Sequence, residues 1–486
     1  MKKSGFAGLP GIILTIILLA LAFHYPVRII DALYSEPVSD FAINISFWRI
    51  IFEPFIGTLL FYLRADQPLL EFLVLVIWII SLSLILTFSG ILFNKNIRGF
   101  KAYLSGFLSW LKKIPLIFSI WLGLLFLIIF MKLPANTIVN NLLNTILINT
   151  HSHTEYSHDG IISQTDLQKW HKRNGFDAFF ITDHNHHKKT LEAVQAQEDG
   201  KLPPDPLIIC GEEFSGSNHM TLLGIKQNFI TRGLSDQQVI DSTHANNGVV
   251  IVAHWFDGER KSIPYFIDLG VDGFEIANQA AGLKYDQRIF NNIVKACTSN
   301  GLIMNGAADY HGYGSTCFVW TAFEIPGWHK MDNEQKRESI LDVLRHKDMS
   351  KVRVLLYNDR NVFDQSLVFL SPVFTLISYF RTLNLLQVLS WVIWLIIIFK
   401  IGSKLRNTEG NRWSLQILEI LALMSSLYIL VHGILLLNKA GFLSEYNDIY
   451  SEYGTIMLLC GAGFLIYTTI LILFEFKRKL SIKNQT

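Results

Sequence analysis

The sequence is poor in charged residues and in cysteine, and each shortage excludes a class of protein. Charged residues make up 17% of the chain, below the roughly 25% that is usual for soluble proteins. The four cysteines include no Cys-x-x-Cys pair, which argues against a disulfide framework. The net charge is only +2, and the basic residues are spread along the chain, so we expect no nucleic-acid partner.

The shortage of charge lies in two apolar blocks on either side of a globular one. The apolar blocks cover residues 1–135 and 361–476, a basic tail follows at 477–486, and the block at 140–360 has an ordinary globular composition. A helix of about 20 apolar residues crosses a bilayer, so the apolar blocks predict a multi-pass membrane protein. The predicted spans cover residues 9–25, 69–93, 114–133, 383–400, 413–437 and 454–475.

The side of the membrane on which the middle block lies depends on two shorter apolar segments, 47–63 and 366–380. If neither segment crosses, the basic loops at 94–113 and 400–412 are both cytoplasmic, as basic loops tend to be, and the middle block is extracytoplasmic. If both cross, the middle block is cytoplasmic and the 94–113 loop breaks that rule. We therefore predict six spans and an extracytoplasmic domain.

The middle block alternates predicted strands and helices. Thr145–Thr150, Ala178–Thr182 and Leu207–Cys210 have the composition of strands. A predicted helix at 163–174 lies between the first two strands, and Ser163 can cap it. This rhythm continues to the end of the block and predicts an α/β domain of the barrel type.

Histidine and acidic residues concentrate at the ends of these strands. All but two of the 15 histidines, His24 and His432, lie between residues 151 and 346. His151 and His153 follow the first strand, where residues two positions apart face the same side of the pleat. Because the carboxyl ends of barrel strands share one face, we expect the polar strand ends to converge. They comprise His151, His153, Asp183, His184, Glu212, Glu213, His219, His254, Asp309 and His311, with Glu275 inside a strand.

This set of side chains predicts a metal site. Buried imidazoles and carboxylates are costly without ions or hydrogen-bond partners. A lone buried histidine is usually a core residue, but so many at strand ends argue against that interpretation. Neutral imidazole and carboxylate are ligands that divalent metals accept, and no thiolate is needed.

Taken in order, these motifs resemble those of the polymerase and histidinol phosphatase (PHP) family of metal-dependent phosphoesterases, over about residues 145–325. The resemblance implies a distorted (β/α)7 barrel that holds up to three divalent ions, commonly zinc, manganese or iron. It also implies three groups of ligands. These are His151, His153, Glu213 and Asp309; then Asp159, His184 and His311; then Glu213 again, with His219 and His254.

The sequence departs from the family pattern at one turn, Ser157-His158-Asp159-Gly160. The usual short form is Ser-Asp-Gly, so one residue is inserted, and either His158 or Asp159 can be the ligand. We favour Asp159 because it keeps the Asp-Gly pair. Either Glu212 or Glu213 can likewise be the metal ligand, and the glycine-x-glutamate spacing favours Glu213.

The resemblance implies hydrolysis of a phosphate ester by a water that the metals activate. The predicted catalytic residues are Asp309, His311 and the bridging Glu213. Asp309 or His311 could orient the water or pass a proton to the leaving alcohol. Candidate phosphate contacts, just past strand ends, are Lys188, Arg260 and Lys261.

Two other functions compete with a phosphoesterase. One is a metal-binding sensor or binding module that signals through the apolar helices. The other is a related metal hydrolase that cleaves an amide or a phosphodiester. The complete ligand set favours catalysis over sensing. The expected partners are the bilayer itself and a phosphate ester, either lipid-linked or soluble near the membrane.

Overall fold

The computed structural model describes residues 8–64, 68–92, 99–257, 260–280, 287–360 and 368–483. Part of the predicted basic loop, 94–98, and the last residues of the basic tail, 484–486, lie outside the described residues. The strands are β1 Arg28–Asp31, β2 Phe41–Asn44, β3 Thr137–Asn140, β4 Thr145–Asn149, β5 Ala178–Ile181, β6 Leu207–Ser215, β7 His219–Leu223, β8 Val249–Val252, β9 Gly273–Asn278, β10 Ile303–Ala307, β11 Val319–Glu324 and β12 Val352–Asn358.

Ten of these strands form one sheet in the order β1-β12-β11-β4-β5-β6-β7-β8-β9-β10, and β2 pairs with β3 separately. The β4-β5-β6 and β8-β9-β10 pairs are parallel, whereas β7 is antiparallel to both its neighbours. Strand β8 consists of four apolar residues, all buried, as is typical of strands covered on both faces.

The sheet curls so that its last strand, β10, comes back beside β11 and β4, the third and fourth strands of the order. The hydroxyl of Thr321 in β11 donates to the carbonyl of Gly306 in β10 at 2.7 Å and accepts from its N–H at 2.8 Å. Just beyond β10, the N–H of Asp309 donates to the carbonyl of His151 at 2.9 Å. The predicted α/β class is confirmed, and the sheet is a curled half-barrel. The predicted count of seven barrel strands is not confirmed.

The helices cover the sheet and form the apolar blocks. They are α1 Gly8–Leu21, α2 Phe47–Ile51, α3 Thr58–Leu63, α4 Pro68–Leu92, α5 Phe100–Leu111, α6 Ile114–Phe130, α7 Gln164–Arg173, α8 Lys188–Glu198, α9 Asp236–Ala245, α10 Ile263–Asp268, α11 Gln287–Asn300, α12 Asn333–Arg345, α13 Ser371–Arg381, α14 Leu385–Leu443 and α15 Ile449–Lys483. Ser163 caps α7 as predicted, since its side chain accepts a hydrogen bond from the N–H of Asp166.

The structure extends one predicted strand. The sequence predicted that a strand ends at Cys210, before the two glutamates. In the structure β6 continues to Ser215, because its second half pairs antiparallel with β7. Glu212 and Glu213 therefore lie within a strand, and the pleat directs their side chains to opposite faces.

The structure also adds an N-terminal segment to the globular sheet. The sequence assigned residues 1–135 to the membrane region, but β1 pairs antiparallel with β12, with Ile30 opposite Leu356. A strand of four residues is too short to give a recognisable alternation in the sequence. Its partner lies more than 300 residues away, so no local pattern could indicate the pairing.

Five helices among the described residues are long and apolar enough to cross a membrane. They are Leu69–Leu92, Tyr103–Phe130, Leu385–Lys404, Gln416–Leu443 and Ile449–Lys477, and they overlap five of the six predicted spans. The remaining predicted span, 9–25, forms α1, which has 14 residues. The ambiguous segment 47–63 forms short helices, as does the described part of the segment 366–380; residues 366 and 367 lie outside the described residues. The side of the membrane on which the domain lies stays a prediction.

One predicted loop is a helix instead. The sequence predicted two spans joined by a basic loop at 400–412, but α14 is continuous for 59 residues. At 1.5 Å per residue such a helix is about 90 Å long, roughly three times the thickness of a hydrocarbon core. The segment contains no proline, and nothing else in it forces a helix to end. The predicted turn between these two spans is therefore wrong.

Candidate metal centre

The polar strand ends meet at one edge of the curled sheet. Strands β4, β5, β8 and β10 each end shortly before a predicted ligand, namely His151, His184, His254 and Asp309. Strand β7 runs in the opposite direction to its neighbours, so its first residue, His219, lies at the same edge. The topology thus brings together residues that are far apart in the sequence.

The most buried group joins His151, His153, Glu213 and Asp309. The Nε2 atoms of His151 and His153 lie 3.0 Å apart. Glu213 Oε2 lies 3.0 Å from the first of these nitrogens and 3.1 Å from the second. Asp309 Oδ1 lies 3.3 Å and 3.1 Å from the same two nitrogens. Four potential ligand atoms therefore face one point.

A second group forms around Asp159. Its Oδ2 lies 3.3 Å from His184 Nε2 and 3.0 Å from His311 Nε2, and His153 completes the group. The side chain of the neighbouring His158 is 67% exposed, and its Nδ1 lies 3.9 Å from Asp159 Oδ1. Of the two candidates in the inserted turn, the structure places Asp159 among the ligand atoms.

Glu213 lies between all three predicted groups. Its Oε2 contacts the first group and also lies 3.2 Å from His184 Nε2. Its Oε1 lies 2.7 Å from His219 Nδ1 and 3.1 Å from His254 Nε2. A carboxylate with imidazoles on both oxygens is placed to bridge metal ions, which is the position that the family resemblance implies.

Four histidines are held by a partner on the ring nitrogen that faces away from the cluster. The Nδ1 partners are Glu275 Oε1 for His151 at 2.9 Å, Ser157 Oγ for His153 at 3.2 Å, Ser215 Oγ for His184 at 3.2 Å, and the carbonyl of Asp309 for His311 at 2.8 Å. Such partners fix the ring so that Nε2 presents its lone pair to a metal. Asp309 Oδ1 is buried against the Nε2 atoms of His151 and His153. The donor set therefore fits divalent metal ions.

The two neighbouring glutamates have different surroundings. Glu212 points away from the cluster and contacts His187 Nδ1 and the hydroxyl of Thr231. Glu275 stands behind the cluster, where its second oxygen accepts from the N–H of His254 at 2.9 Å. Glu275 therefore orients two predicted ligands without facing the ion position itself.

Two predicted ligands adopt a backbone conformation that is uncommon outside glycine. His254 has φ = 25° and Asp309 has φ = 46°. Such conformations are costly for residues with a Cβ and concentrate at functional sites, where the surrounding structure holds them. Each residue is the second after a strand end, and both side chains lie in the cluster, where His254 Nε2 is 3.1 Å from Glu213 Oε1 and 4.0 Å from Asp309 Oδ2.

The cluster has strongly shifted pKa values in the absence of metal. Burial lowers the pKa of His153, but hydrogen bonds to Asp309 and Glu213 outweigh it and raise the pKa to about 10. Burial is likewise outweighed at His254, whose pKa rises to about 9 beside Glu213 and Asp309. Burial raises the pKa of Glu213, but the surrounding imidazoles, His151 first, hold it well below its usual range. The raised pKa values of His153 and His254 favour a proton on each of these rings when no metal is bound.

A cavity of about 860 Å³ opens beside the cluster. Its lining includes His158, His184, Arg232, Glu445 and Tyr446. Of the candidate phosphate contacts, Lys261 lines a different cavity, near Trp255, while Lys188 and Arg260 are exposed. The sequence did not single out Arg232, because it lies in a loop without a strand-end pattern.

Comparison with known proteins agrees with the motif order. Residues 149–259 match the PHP domain family model. No curated protein is significantly similar in sequence.

Three solved structures with low sequence identity illustrate the range of matches. A two-domain protein from Bacteroides vulgatus, described as containing a predicted PHP-like metal-dependent phosphoesterase, is 17% identical over 44% of this chain and 65% of its own, with a TM-score of 0.35. The match thus spans less than two thirds of that protein. PsfC from Pseudomonas syringae is 14% identical over 54% of this chain and 99% of its own, with a TM-score of 0.34. An amidohydrolase from Chromobacterium violaceum, with bound sulfate and no metal, is 14% identical over 39% of this chain and 96% of its own, with a TM-score of 0.28. The match of residues 149–259 confirms the resemblance to the PHP family that the strand-end motifs indicated.

Proposed function

We propose that the protein is a membrane-anchored, metal-dependent phosphoesterase. The PHP domain would form the catalytic part within residues 140–360, with membrane regions at 1–135 and 361–476. The catalytic domain would lie outside the cytoplasm, and the substrate would be a phosphate ester, lipid-linked or soluble. We propose no nucleic-acid partner.

One observation supports this proposal most strongly, namely the position of Glu213. Its two oxygens lie within 3.2 Å of five imidazole nitrogens from five different histidines. Around it we assign three ion positions, for zinc, manganese or iron. Their ligands would be His151, His153, Asp159, His184, Glu213, His219, His254, Asp309 and His311.

Bound divalent ions would lower the pKa of a water between them and offset charge on the phosphoryl oxygens. Of the two residues that could orient that water, Asp309 is the better placed. Both ring nitrogens of His311 are engaged, by the carbonyl of Asp309 and by Asp159. Asp309 Oδ1 faces the Nε2 atoms of His151 and His153 at 3.3 Å and 3.1 Å, so its carboxylate lies where the ions and their water would be held. Arg232 in the adjacent cavity is our candidate for binding the phosphate.

The full chain, purified in detergent micelles, allows a direct test with a panel of phosphate monoesters and diesters in the presence of zinc, manganese or iron. We expect turnover that a chelator abolishes and that metal restores. Asp309→Asn and His184→Gln should abolish it. His346→Gln is the matched control, because His346 is exposed and its Nδ1 hydrogen-bonds to the carbonyl of Asp342 in the preceding helical turn. Turnover that survives full chelation, or both site substitutions, would refute the proposal.

A metal-binding sensor is the second candidate. Hydrogen bonds from Asn447, at the end of an apolar helix, to the loop that includes Asp159 favour it, since they connect the cluster to the helices. Tight metal binding without turnover of any ester would favour sensing. Turnover of amides alone would indicate the related amide hydrolase.

A further inference from the structure

The connection between the last two apolar helices lies against the metal centre. We define the hairpin tip as residues 444–447, in the connection between α14 and α15, and the Asp159 loop as residues 154–161. The ring of Tyr446 contacts the ring of Tyr156 at a centroid distance of 5.3 Å. The C-terminal apolar block and the PHP domain therefore meet beside the predicted ligands.

The main contact is the side-chain amide of Asn447, which is buried. Its Nδ2 donates to the carbonyl oxygens of Ser157 and Gly160, both at 2.6 Å, and lies 3.4 Å from that of Glu155. Its Oδ1 accepts from the N–H of Ile449 at 2.9 Å. One end of the amide thus holds the Asp159 loop, and the other holds the start of α15.

The carbonyls that Asn447 binds belong to the turn that orients three predicted ligands. The hydroxyl of Ser157 donates to Asp159 Oδ1 at 2.7 Å. Ser157 Oγ also lies 3.2 Å from His153 Nδ1 and accepts a hydrogen bond from the backbone N–H of His184 at 3.3 Å. A displacement of this turn would therefore change the positions of Asp159, His153 and His184 together.

Two further contacts connect the loop with the helices. Lys439, in the last turns of α14, forms an ion pair with Glu155. The hydroxyl of Tyr313 donates to the carbonyl of Asp159 at 3.3 Å, and the Tyr313 ring lies 6.1 Å from that of Tyr453 in α15. The inserted turn is held from several sides by the helical hairpin.

The hairpin tip also forms part of the cavity beside the metal centre. Glu445 and Tyr446 line it together with His184 and Arg232, and the Tyr446 ring lies 5.1 Å from that of His186. A phosphate held between Arg232 and the metal centre would leave the organic group of the ester next to Tyr446.

We propose that the hairpin tip completes the active site. Asn447 is a positioning residue that sets the Asp159 loop, and Tyr446 contacts the organic group of the substrate, which is a phosphate ester large enough to reach it. This inference rests on the proposed function. It assigns to the C-terminal helices a role in catalysis in addition to anchoring.

The test uses the full chain and compares Asn447→Asp with Asp448→Asn. Asn447→Asp keeps an oxygen that can accept from the N–H of Ile449. It replaces the amide NH2 group, which donates to the carbonyls of Ser157 and Gly160, with an oxygen that would face those carbonyls. We expect metal affinity and kcat to fall roughly 10- to 100-fold, as when an outer partner of a metal ligand is lost. Higher metal concentration should restore part of the activity, which a purely structural defect would not allow. Asp448→Asn makes the reverse exchange, of a carboxylate for an amide, at the neighbouring exposed residue, and this variant should behave as wild type.

Tyr446 gives an independent measurement. For 4-nitrophenyl phosphate, we expect Tyr446→Ala to raise KM with little change in kcat, and Tyr446→Phe to restore KM because the ring is kept. For glycerol phosphate, with its smaller organic group, the increase in KM should be smaller. If Asn447→Asp does not fold, Lys439→Gln replaces it, with a loss in the same direction.

The outcomes separate the two proposals. Wild-type turnover with unchanged metal affinity and kcat in Asn447→Asp, and unchanged KM in Tyr446→Ala, would overturn the role of the hairpin tip alone. If the wild type turns over no ester, the proposed function fails. Calorimetric metal titration of wild type and Asn447→Asp then still decides whether Asn447 positions the ligands.

Discussion

The two sides of the metal centre are held in different ways. On one side, His219 begins strand β7 and His254 follows strand β8, and the sheet fixes their backbone. On the other side, Asp159 lies in a loop whose carbonyls are bound by Asn447 of the helical hairpin. The loop after His311 is similar, since the N–H of Gly314 donates to the carbonyl of Ile129 in α6. The strand side thus depends on the domain alone, and the loop side depends on the apolar helices as well.

The largest effect is expected where both sides meet, at Glu213. Glu213→Gln removes the negative charge that five imidazoles share, so we expect loss of the bridged ions and no detectable turnover. Metal content per folded chain and kcat measure this effect. The neighbouring Glu212→Gln is the control, because its side chain faces His187 and Thr231 instead. It should cost about 1–3 kcal/mol of stability and leave the metal content intact. Equal metal loss in both variants would contradict the assignment of Glu213 as the bridge.

The next effect separates the two sides. Asp159→Asn should weaken the loop-side ion by at least the roughly 10- to 100-fold that loss of an outer partner costs, while the strand side, which contains His254, keeps its metal. His254→Gln should do the reverse. Metal titration of both variants tests this difference, and an identical loss of all ions in both would show that the two sides do not bind separately.

Changes in pH should act on both sides together. Without metal, the pKa is about 10 at His153 and about 9 at His254, against roughly 6.5 for an unfolded histidine. Because the folded state holds these protons more tightly, their stabilisation is complete below about pH 6.5 and is lost as pH rises through about 9 to 10. We expect the Tm of metal-free protein to fall over that range, and the Tm of metal-loaded protein to fall less, because metal replaces the protons. A metal-free Tm that rises with pH there would contradict the described contacts.

The smallest effect is expected at His158. Its side chain is largely exposed, whereas Asp159 Oδ2 lies 3.3 Å from His184 Nε2. His158→Gln should leave metal content unchanged and alter kcat less than about twofold, within the range of ordinary surface substitutions. A loss of metal as large as that in Asp159→Asn would mean that the inserted turn can present either residue.

The sequence predicted the strand side of the site better than the loop side. Strands followed by histidine or carboxylate give a local pattern, and the shared edge of a curled sheet brings His151, His254 and Asp309 together. The contact of Asn447 with the Asp159 loop joins residues almost 300 positions apart, and a lone asparagine between two apolar runs gives no signal. Arg232 was missed for a related reason, since it lies in a loop. The continuous α14 was missed because basic residues were interpreted as a loop, although they are also good helix formers.

The most direct measurement is the position of metal ions in crystals of the full chain, located by anomalous scattering after soaking with manganese or zinc. We predict one peak among His151, His153, Glu213 and Asp309, a second among His153, Asp159, His184 and His311, and, at full occupancy, a third between Glu213, His219 and His254. Peaks only at other positions, or no metal at the Glu213 cluster in metal-saturated crystals, would contradict a metal-dependent function for this protein.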